Sequence, residues 1–336
     1  MRKLAWLWVA ALVLAPGAPA QNVKIVVTGQ FADRAAEMQS ASPAATVVAA
    51  TEKDLAQKVV DADAIFGTIT PDLLRAARKL RWVQIYSAGA ENYLFPEMVN
   101  SNVVLTNCKI IQGPNIADHA MALLLALTRG LHHAIPQRTG EEWLRGKFFF
   151  NQIELTDKTA LIIGLGGIGT QIAQRARAFG MKVVAVDPKD IPITSTVEQI
   201  VTPDRLQELL PRADVVFMSA PHTRQTEGML GAAEFGMMKK GSYFIAVSRG
   251  KTYDSAALVK ALDEKRLAGA GLDVTNPEPL PKGHPLWKFE NVVITPHIAG
   301  GSDLVAGRRI ALFQENIRRF VAGKTLLNVV DKQKGY

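Results

Sequence analysis

From Val23 onward, short apolar, β-branched runs alternate with longer stretches whose apolar residues recur at helical spacing. VKIVVT (23–28), TVVAA (46–50), DAIFGT (63–68), WVQIY (82–86) and NVVLT (102–106) read as buried strands. Between them, EKDLAQKVVD (52–61) and PDLLRAARKL (71–80) carry the helical period. This predicts a parallel α/β layer with helices on its faces. A long helix follows in NIADHAMALLLALTRG, running from Asn115 to Arg129 and stopped by Gly130. The aromatic-rich stretch LHHAIPQRTGEEWLRGKFFF (131–150) reads as irregular. It suits an arm laid on a second subunit as well as a surface connection over its own chain.

A second α/β series starts at Thr159. Its strands are TALIIGL, KVVAVD, DVVFMSA, SYFIAVS, AGAGLDV and NVVIT, with helices such as DRLQELLP and SAALVKALDEKR between them. DLVAGRRIALFQENIRRFVAG (303–323) closes the pattern as a helix. Ser302 is the expected N-cap, and Leu304, Ile310, Phe313, Ile317 and Phe320 lie near one face. Two α/β units joined by long helices imply a cleft, and open parallel sheets bind ligands at the carboxyl ends of their strands.

The glycine pattern names the ligand of the second unit. Gly164, Gly166 and Gly169 form GxGxxG between a strand and a helix, and Asp187 ends the next strand. The first glycine permits the tight turn, the second admits the pyrophosphate, and the third lets helix and strand approach. The helix N-terminus then offers free N–H groups to the diphosphate. A carboxylate at Asp187 accepts hydrogen bonds from the ribose hydroxyls of NAD. It would repel the extra phosphate of NADP by roughly 4 kcal/mol per unit charge at close range, before screening. NAD is the expected cofactor.

Three charged residues follow strand ends on the edge where the nicotinamide must lie: Arg249, Glu278 and His297. Arginine can hold a carboxylate by two parallel hydrogen bonds. Histidine can deliver a proton to a carbonyl oxygen, and a glutamate on its other nitrogen favours the imidazolium. The set suits reduction of a 2-oxo acid.

Several motifs together resemble the D-2-hydroxyacid dehydrogenases, the family of D-lactate, glyoxylate/hydroxypyruvate and phosphoglycerate dehydrogenases. They are LRWVQIYSAGAEN, NIADHAMALLLALTR, GLGGIG with Asp187, VSRG, GLDVTNPEPLP and HPLWKFENVVITPHIAGG. The resemblance runs from about Val23 to the last helix. It implies two doubly wound parallel-sheet α/β domains, a Rossmann NAD-binding domain and a flavodoxin-like substrate domain, with the active site in the interdomain cleft. The NAD-binding domain would span 115–297, and the substrate domain 21–114 plus 298–336. Arg249, Glu278 and His297 would be the catalytic trio. Asp273 would reach the nicotinamide end, while Gly167, Ile168, Pro221, Thr226 and Ser248 would join the GxGxxG glycines and Asp187 along the cofactor. Backbone N–H groups around Ala88 and Gly89 would hold the substrate carboxylate. The family also implies a homodimer, with the helix from Asn115 and the following arm at the interface.

Some positions depart from the family pattern. Ile110 stands where many relatives have glycine, Asp118 where glutamate is commoner, and Gly167 where a larger, often basic, residue is frequent. His222 replaces an apolar residue and is expected to fill an edge rather than touch cofactor. No regulatory extension follows the final helix, which weighs against the multidomain phosphoglycerate enzymes as relatives. Two other activities fit the outline less well: a formate dehydrogenase, which needs no proton donor to a carbonyl, and a non-catalytic NAD(H) sensor, which needs no trio.

Composition narrows the remaining choices. The 336 residues are 48% apolar with a formal charge of +8, or +6 without Arg2 and Lys3. The basic residues are dispersed, so nucleic acid is not an expected partner, whereas a small anionic substrate is. Cys108 is the only cysteine, and no HExxH occurs, so neither a disulfide nor a metal is expected. Residues 1–20, MRKLAWLWVAALVLAPGAPA, have the layout of a cleavable signal peptide. Their apolar run is too short to span a bilayer comfortably. Export to the periplasm is the expectation, with no membrane span left after cleavage; an unprocessed segment would leave the protein in the cytoplasm.

Overall fold

The computed structural model describes residues 22–141, 143 and 145–336, so the proposed signal segment lies outside the described residues. Two parallel sheets organise the chain. The first holds β1 (Val23–Val27), β2 (Ala45–Ala49), β3 (Ala64–Phe66), β4 (Trp82–Gln84) and β5 (Val104–Thr106), in the order β2-β1-β3-β4-β5. That is the flavodoxin-like arrangement. The second holds β6 (Thr159–Ile163), β7 (Lys182–Val186), β8 (Gln199–Val201), β9 (Val215–Met218), β10 (Ser242–Ala246), β11 (Leu267–Leu272) and β12 (Val292–Ile294). Its order, β12-β11-β10-β9-β6-β7-β8, reverses direction beside β6, which is the Rossmann switch point. The short strand β8 has no counterpart in the hydrophobic pattern, and β12 is a half-buried edge strand rather than a fully buried one.

Two long helices follow the passages of the chain between the units. Gly113–Thr128 buries Ile116, Ala120, Met121, Leu123, Leu124 and Leu127 in the core of the second sheet. Met121, Leu123, Leu124 and Leu127 of its apolar MALLLAL run thus pack on their own chain, while Ala122 is exposed and Leu125 and Ala126 are half-buried. The closing helix, Val305–Val321, instead packs Ile310, Phe313 and Ile317 against the first sheet. A buried polar chain locks it there. Trp82 Nε1 donates to Thr106 Oγ1 (2.7 Å), Thr106 Oγ1 donates to Gln84 Oε1 (2.8 Å), and Asn316 Nδ2 donates to the same oxygen (3.2 Å). The helix starts two residues later than expected. Leu304 is its N-cap and is 57% exposed, and Ser302 Oγ merely accepts from Leu304 N at 3.3 Å.

The stretch after Gly130 is not irregular throughout. It contains single-turn helices at Leu131–Ala134, Gln137–Gly140 and Arg145–Phe148. Leu131, Ile135 and Trp143 face outward, Trp143 at 92% exposure. Among the described residues no helix is long and apolar enough to cross a membrane, and no group of metal-ligating side chains occurs.

Ile110 sits where the chain passes from the first unit to the second. Its φ is +78°, a left-handed conformation that suits glycine and strains a β-branched residue. A Cβ on Gly167 would meet Ile110 Cα at 3.1 Å and Cγ1 at 3.2 Å, so Ile110 fills the space that a side chain there would need.

Candidate active site

The carboxyl ends of β10, β11 and β12 lie side by side, because Ala246 pairs with Leu272 and Leu272 with Ile294. Arg249, Asp273, Glu278 and His297 all follow these ends. Gly250 makes the crowding possible: a Cβ there would overlap the Thr275 carbonyl and Asn276 N. Its bare backbone lets the loop carrying Arg249 press against the one carrying Glu278.

His297 Nδ1 lies 2.5 Å from Glu278 Oε1. The pair is about two-fifths exposed and so open to the cleft. With Nδ1 engaged, Nε2 has no hydrogen-bond partner among the described residues and is left for a ligand. The backbone of His297 is left-handed, φ +53°, and is held by its N–H, which donates to the Asp273 carbonyl at 2.9 Å. Asp273 does most of the holding. Only 2% exposed, it accepts from Ile298 N (2.9 Å), Ala299 N (3.0 Å) and Thr295 Oγ1 (2.7 Å). Its carboxylate thus ties down the turn that presents His297. His119, from the helix Gly113–Thr128, completes this support with Nε2 at 2.8 Å from Thr295 Oγ1. No sequence motif singles out His119.

Arg249 reaches across to the first unit. Its Nε donates to Glu91 Oε1 at 2.6 Å and its Nη1 to the Ser248 carbonyl at 2.8 Å. Burial alone would raise the Glu91 carboxyl, but the charge and hydrogen bond of Arg249 outweigh it and hold the group below its ordinary value. The third nitrogen, Nη2, lies over Gly89, where a Cβ would collide with it and with both Glu91 oxygens. The loop beneath is turned inside out: Cys108 N, Asn107 Nδ2 and Ser87 Oγ donate to the carbonyls of Ser87, Ala88 and Gly89. The N–H groups of Ala88 and Gly89 have no acceptor among the described residues. Two free N–H groups under a guanidinium make a seat for a carboxylate.

The cofactor groove lies at the switch point. Gly164 has φ +90°, and a Cβ there would strike the backbone of Ala220. A Cβ on Gly169 would overlap the Gly164 carbonyl, whereas Gly166 faces open space. The helix Gly167–Ala178 starts there with no side-chain cap, so the first-turn N–H groups of Gly167, Ile168 and Gly169 remain available. This cradle fits a diphosphate. Asp187 is 8% exposed, and each of its oxygens accepts one backbone N–H: Oδ2 from Leu165 (2.8 Å) and Oδ1 from Lys189 (2.9 Å). It braces the glycine loop and keeps further lone pairs on both oxygens.

Pro221 and Thr226 lie in the loop after β9. There Thr226 Oγ1 donates to the Pro221 carbonyl (2.6 Å) and accepts from Thr223 N (2.8 Å), which sets the loop's shape. Ser248 Oγ is buried without a partner, a group suited to a bound ligand. His222 is one-fifth exposed, and its Nε2 lies 3.7 Å from Glu227 Oε2.

Residues 121–299 match the family described as D-isomer specific 2-hydroxyacid dehydrogenase, NAD binding domain. The glyoxylate reductase of Korarchaeum cryptofilum is 32% identical over 292 residues, 84% of this chain and 87% of that one. The chain belongs to the D-isomer specific 2-hydroxyacid dehydrogenase family. The D-3-phosphoglycerate dehydrogenase of Methanocaldococcus jannaschii is 31% identical over 92% of this chain, which spans 59% of that protein's length. Phosphoglycerate enzymes are thus among its relatives, against the expectation drawn from the chain's extent. A solved NADPH-dependent glyoxylate/hydroxypyruvate reductase from Sinorhizobium meliloti, in complex with NADP and sulfate, superposes with a TM-score of 0.80. It is 26% identical and covers 94% of this chain and 100% of its own.

Proposed function

We propose that the protein is an NAD-dependent oxidoreductase that interconverts a small 2-oxo acid and the corresponding D-2-hydroxy acid. The observation that carries this is the His297–Glu278 pair at 2.5 Å, with Nε2 unengaged, on strand ends adjoining Arg249. The N–H groups of Ala88 and Gly89, with Arg249 Nη2 above them, seat the substrate carboxylate. His297 Nε2 gives its proton to the ketone oxygen in reduction and takes it back in oxidation. Glu278 on Nδ1 fixes the ring and stabilises the imidazolium form. When bound, NADH supplies the hydride.

Asp187 supports NAD over NADP, because its carboxylate stands where a ribose phosphate would need a cation. Formate oxidation and NAD(H) sensing leave the His297–Glu278 pair without a task. The exposed Leu131, Ile135 and Trp143 support a homodimer with the arm after Gly130, together with the helix from Asn115, at the interface. The layout of residues 1–20 supports export with cleavage after Ala20. The test of the activity is NADH oxidation with a panel of 2-oxo acids, glyoxylate and hydroxypyruvate first.

A further inference from the structure

The last residues of the chain form a finger that belongs to one unit and touches the other. Val330 is 3% exposed in the first core, with its N–H donating to Leu105 O at 2.8 Å. Lys332 Nζ is bound by the carbonyls of Met98 (3.0 Å), Ser101 (2.6 Å) and Val103 (3.1 Å). Between these anchors and the end, Asp331 closes a tight turn. Its Oδ1 accepts from Gln333 N and Lys334 N at 3.0 Å each, its carbonyl from Gly335 N at 2.8 Å, and its N–H donates to Tyr336 O at 3.1 Å. Such a turn has little freedom of its own and moves with the first unit.

Its tip reaches the second unit at two loops. A Cβ on Gly335 would lie 3.7 Å from Leu94 Cδ1 in the first unit and 3.8 Å from Thr223 Cγ2 in the second. Tyr336 carries Lys189 Nζ at 5.0 Å from its ring centroid, within cation–π range. Lys189 stands two residues beyond Asp187 at the end of β7, and Thr223 two beyond Pro221 at the end of β9. Those strands flank β6 and its glycine loop. A dinucleotide whose diphosphate rests on that loop lays its adenosine between these two loop ends.

We propose that the turn Asp331–Tyr336 is the outer wall of the adenosine end of the cofactor groove, with the Tyr336 ring as its contact surface. This rests on the dinucleotide reading of the glycine loop. The substrate unit then takes part in holding a part of the cofactor remote from the chemistry. The grip on adenosine is coupled to the angle between the units.

The test is calorimetric titration of the full chain with ADP-ribose, which lacks the nicotinamide and so reports the adenosine end without turnover. Base–aromatic contacts contribute about 1–3 kcal/mol, so Tyr336→Ala is expected to weaken ADP-ribose binding roughly tenfold. Tyr336→Phe should stay within about twofold of the parent. Lys332→Met, which frees the finger from its anchor, should weaken binding in the same direction with the second unit untouched. Parent-like affinity in Tyr336→Ala overturns the proposal, as does a Tyr336→Phe variant as weak as Tyr336→Ala. A parent chain that fails to bind ADP-ribose overturns the dinucleotide reading beneath it, a result distinguishable from the other two.

Discussion

Arg249 and Glu91 stand 158 residues apart in the chain and 2.6 Å apart across the cleft. Of the three guanidinium nitrogens, the pair occupies Nε, the Ser248 carbonyl takes Nη1, and Nη2 is left over Gly89. The substrate seat thus depends on the absence of a side chain at Gly89. Gly89→Ala is expected to push the guanidinium away and to lower kcat/KM for 2-oxo acids by roughly 10²-fold, with NADH affinity unchanged. Steady-state kinetics beside a fluorescence titration of NADH checks both halves.

The same pair predicts a pH dependence. Arg249 holds the folded-state value of Glu91 below its ordinary 4.5, so the pair's contribution to stability is complete above that pH. It is lost as pH falls through the lowered value. The stability difference between the parent and Glu91→Gln should therefore be constant from neutral pH down to about pH 5 and shrink only at lower pH. Denaturant titrations across that range measure it. A difference that fades already between pH 7 and about 5 would show that the carboxylate is not held by Arg249.

Cofactor choice follows from Asp187. The parent is expected to prefer NADH to NADPH by at least about a hundredfold in kcat/KM, because like charges would meet at the ribose. Asp187→Ser should narrow the gap. It should also lower stability, since Leu165 N and Lys189 N lose their charged acceptor. Equal use of the two cofactors by the parent would contradict the role given to this carboxylate.

Cys108 and Ile110 test the hinge region. Burial pushes the Cys108 thiol up to about 12, so it should resist thiol reagents in the native state and react at once in denaturant. Ile110, 64% exposed at φ +78°, carries roughly 1–2 kcal/mol of backbone strain. Ile110→Gly should leave the melting temperature unchanged or raise it, although it removes an entire side chain. A clear fall would mean that the contact of Ile110 with Gly167 outweighs the strain.

The parts of this molecule that follow a period were legible in the sequence. Eleven of the strands of both sheets appear as apolar runs, and the glycine loop, Arg249, Glu278 and His297 stand at their ends. Contacts between residues remote in sequence were not legible. Glu91 opens a single-turn helix, Glu91–Tyr93, and nothing near it announces a partner at Arg249. His119 looks like one polar position on a helix until the fold brings Thr295 to it. Ser302 has the chemistry of an N-cap, but Asp303 and Leu304 form a turn and the helix begins only at Val305. Met121, Leu123, Leu124 and Leu127 of the MALLLAL run pack on their own sheet, and periodicity alone does not say which faces of such a helix are left for a partner.

The central claim is that His297, oriented by Glu278, moves the proton in a 2-oxo acid reduction. NADH absorbance followed with glyoxylate and hydroxypyruvate, in the parent and in His297→Ala, tests it most directly. The account predicts steady oxidation by the parent and a rate lowered roughly 10²- to 10⁴-fold in the variant, with NADH binding nearly intact. A variant within about twofold of the parent, or a parent that binds NADH and oxidises it with no 2-oxo acid, would contradict it.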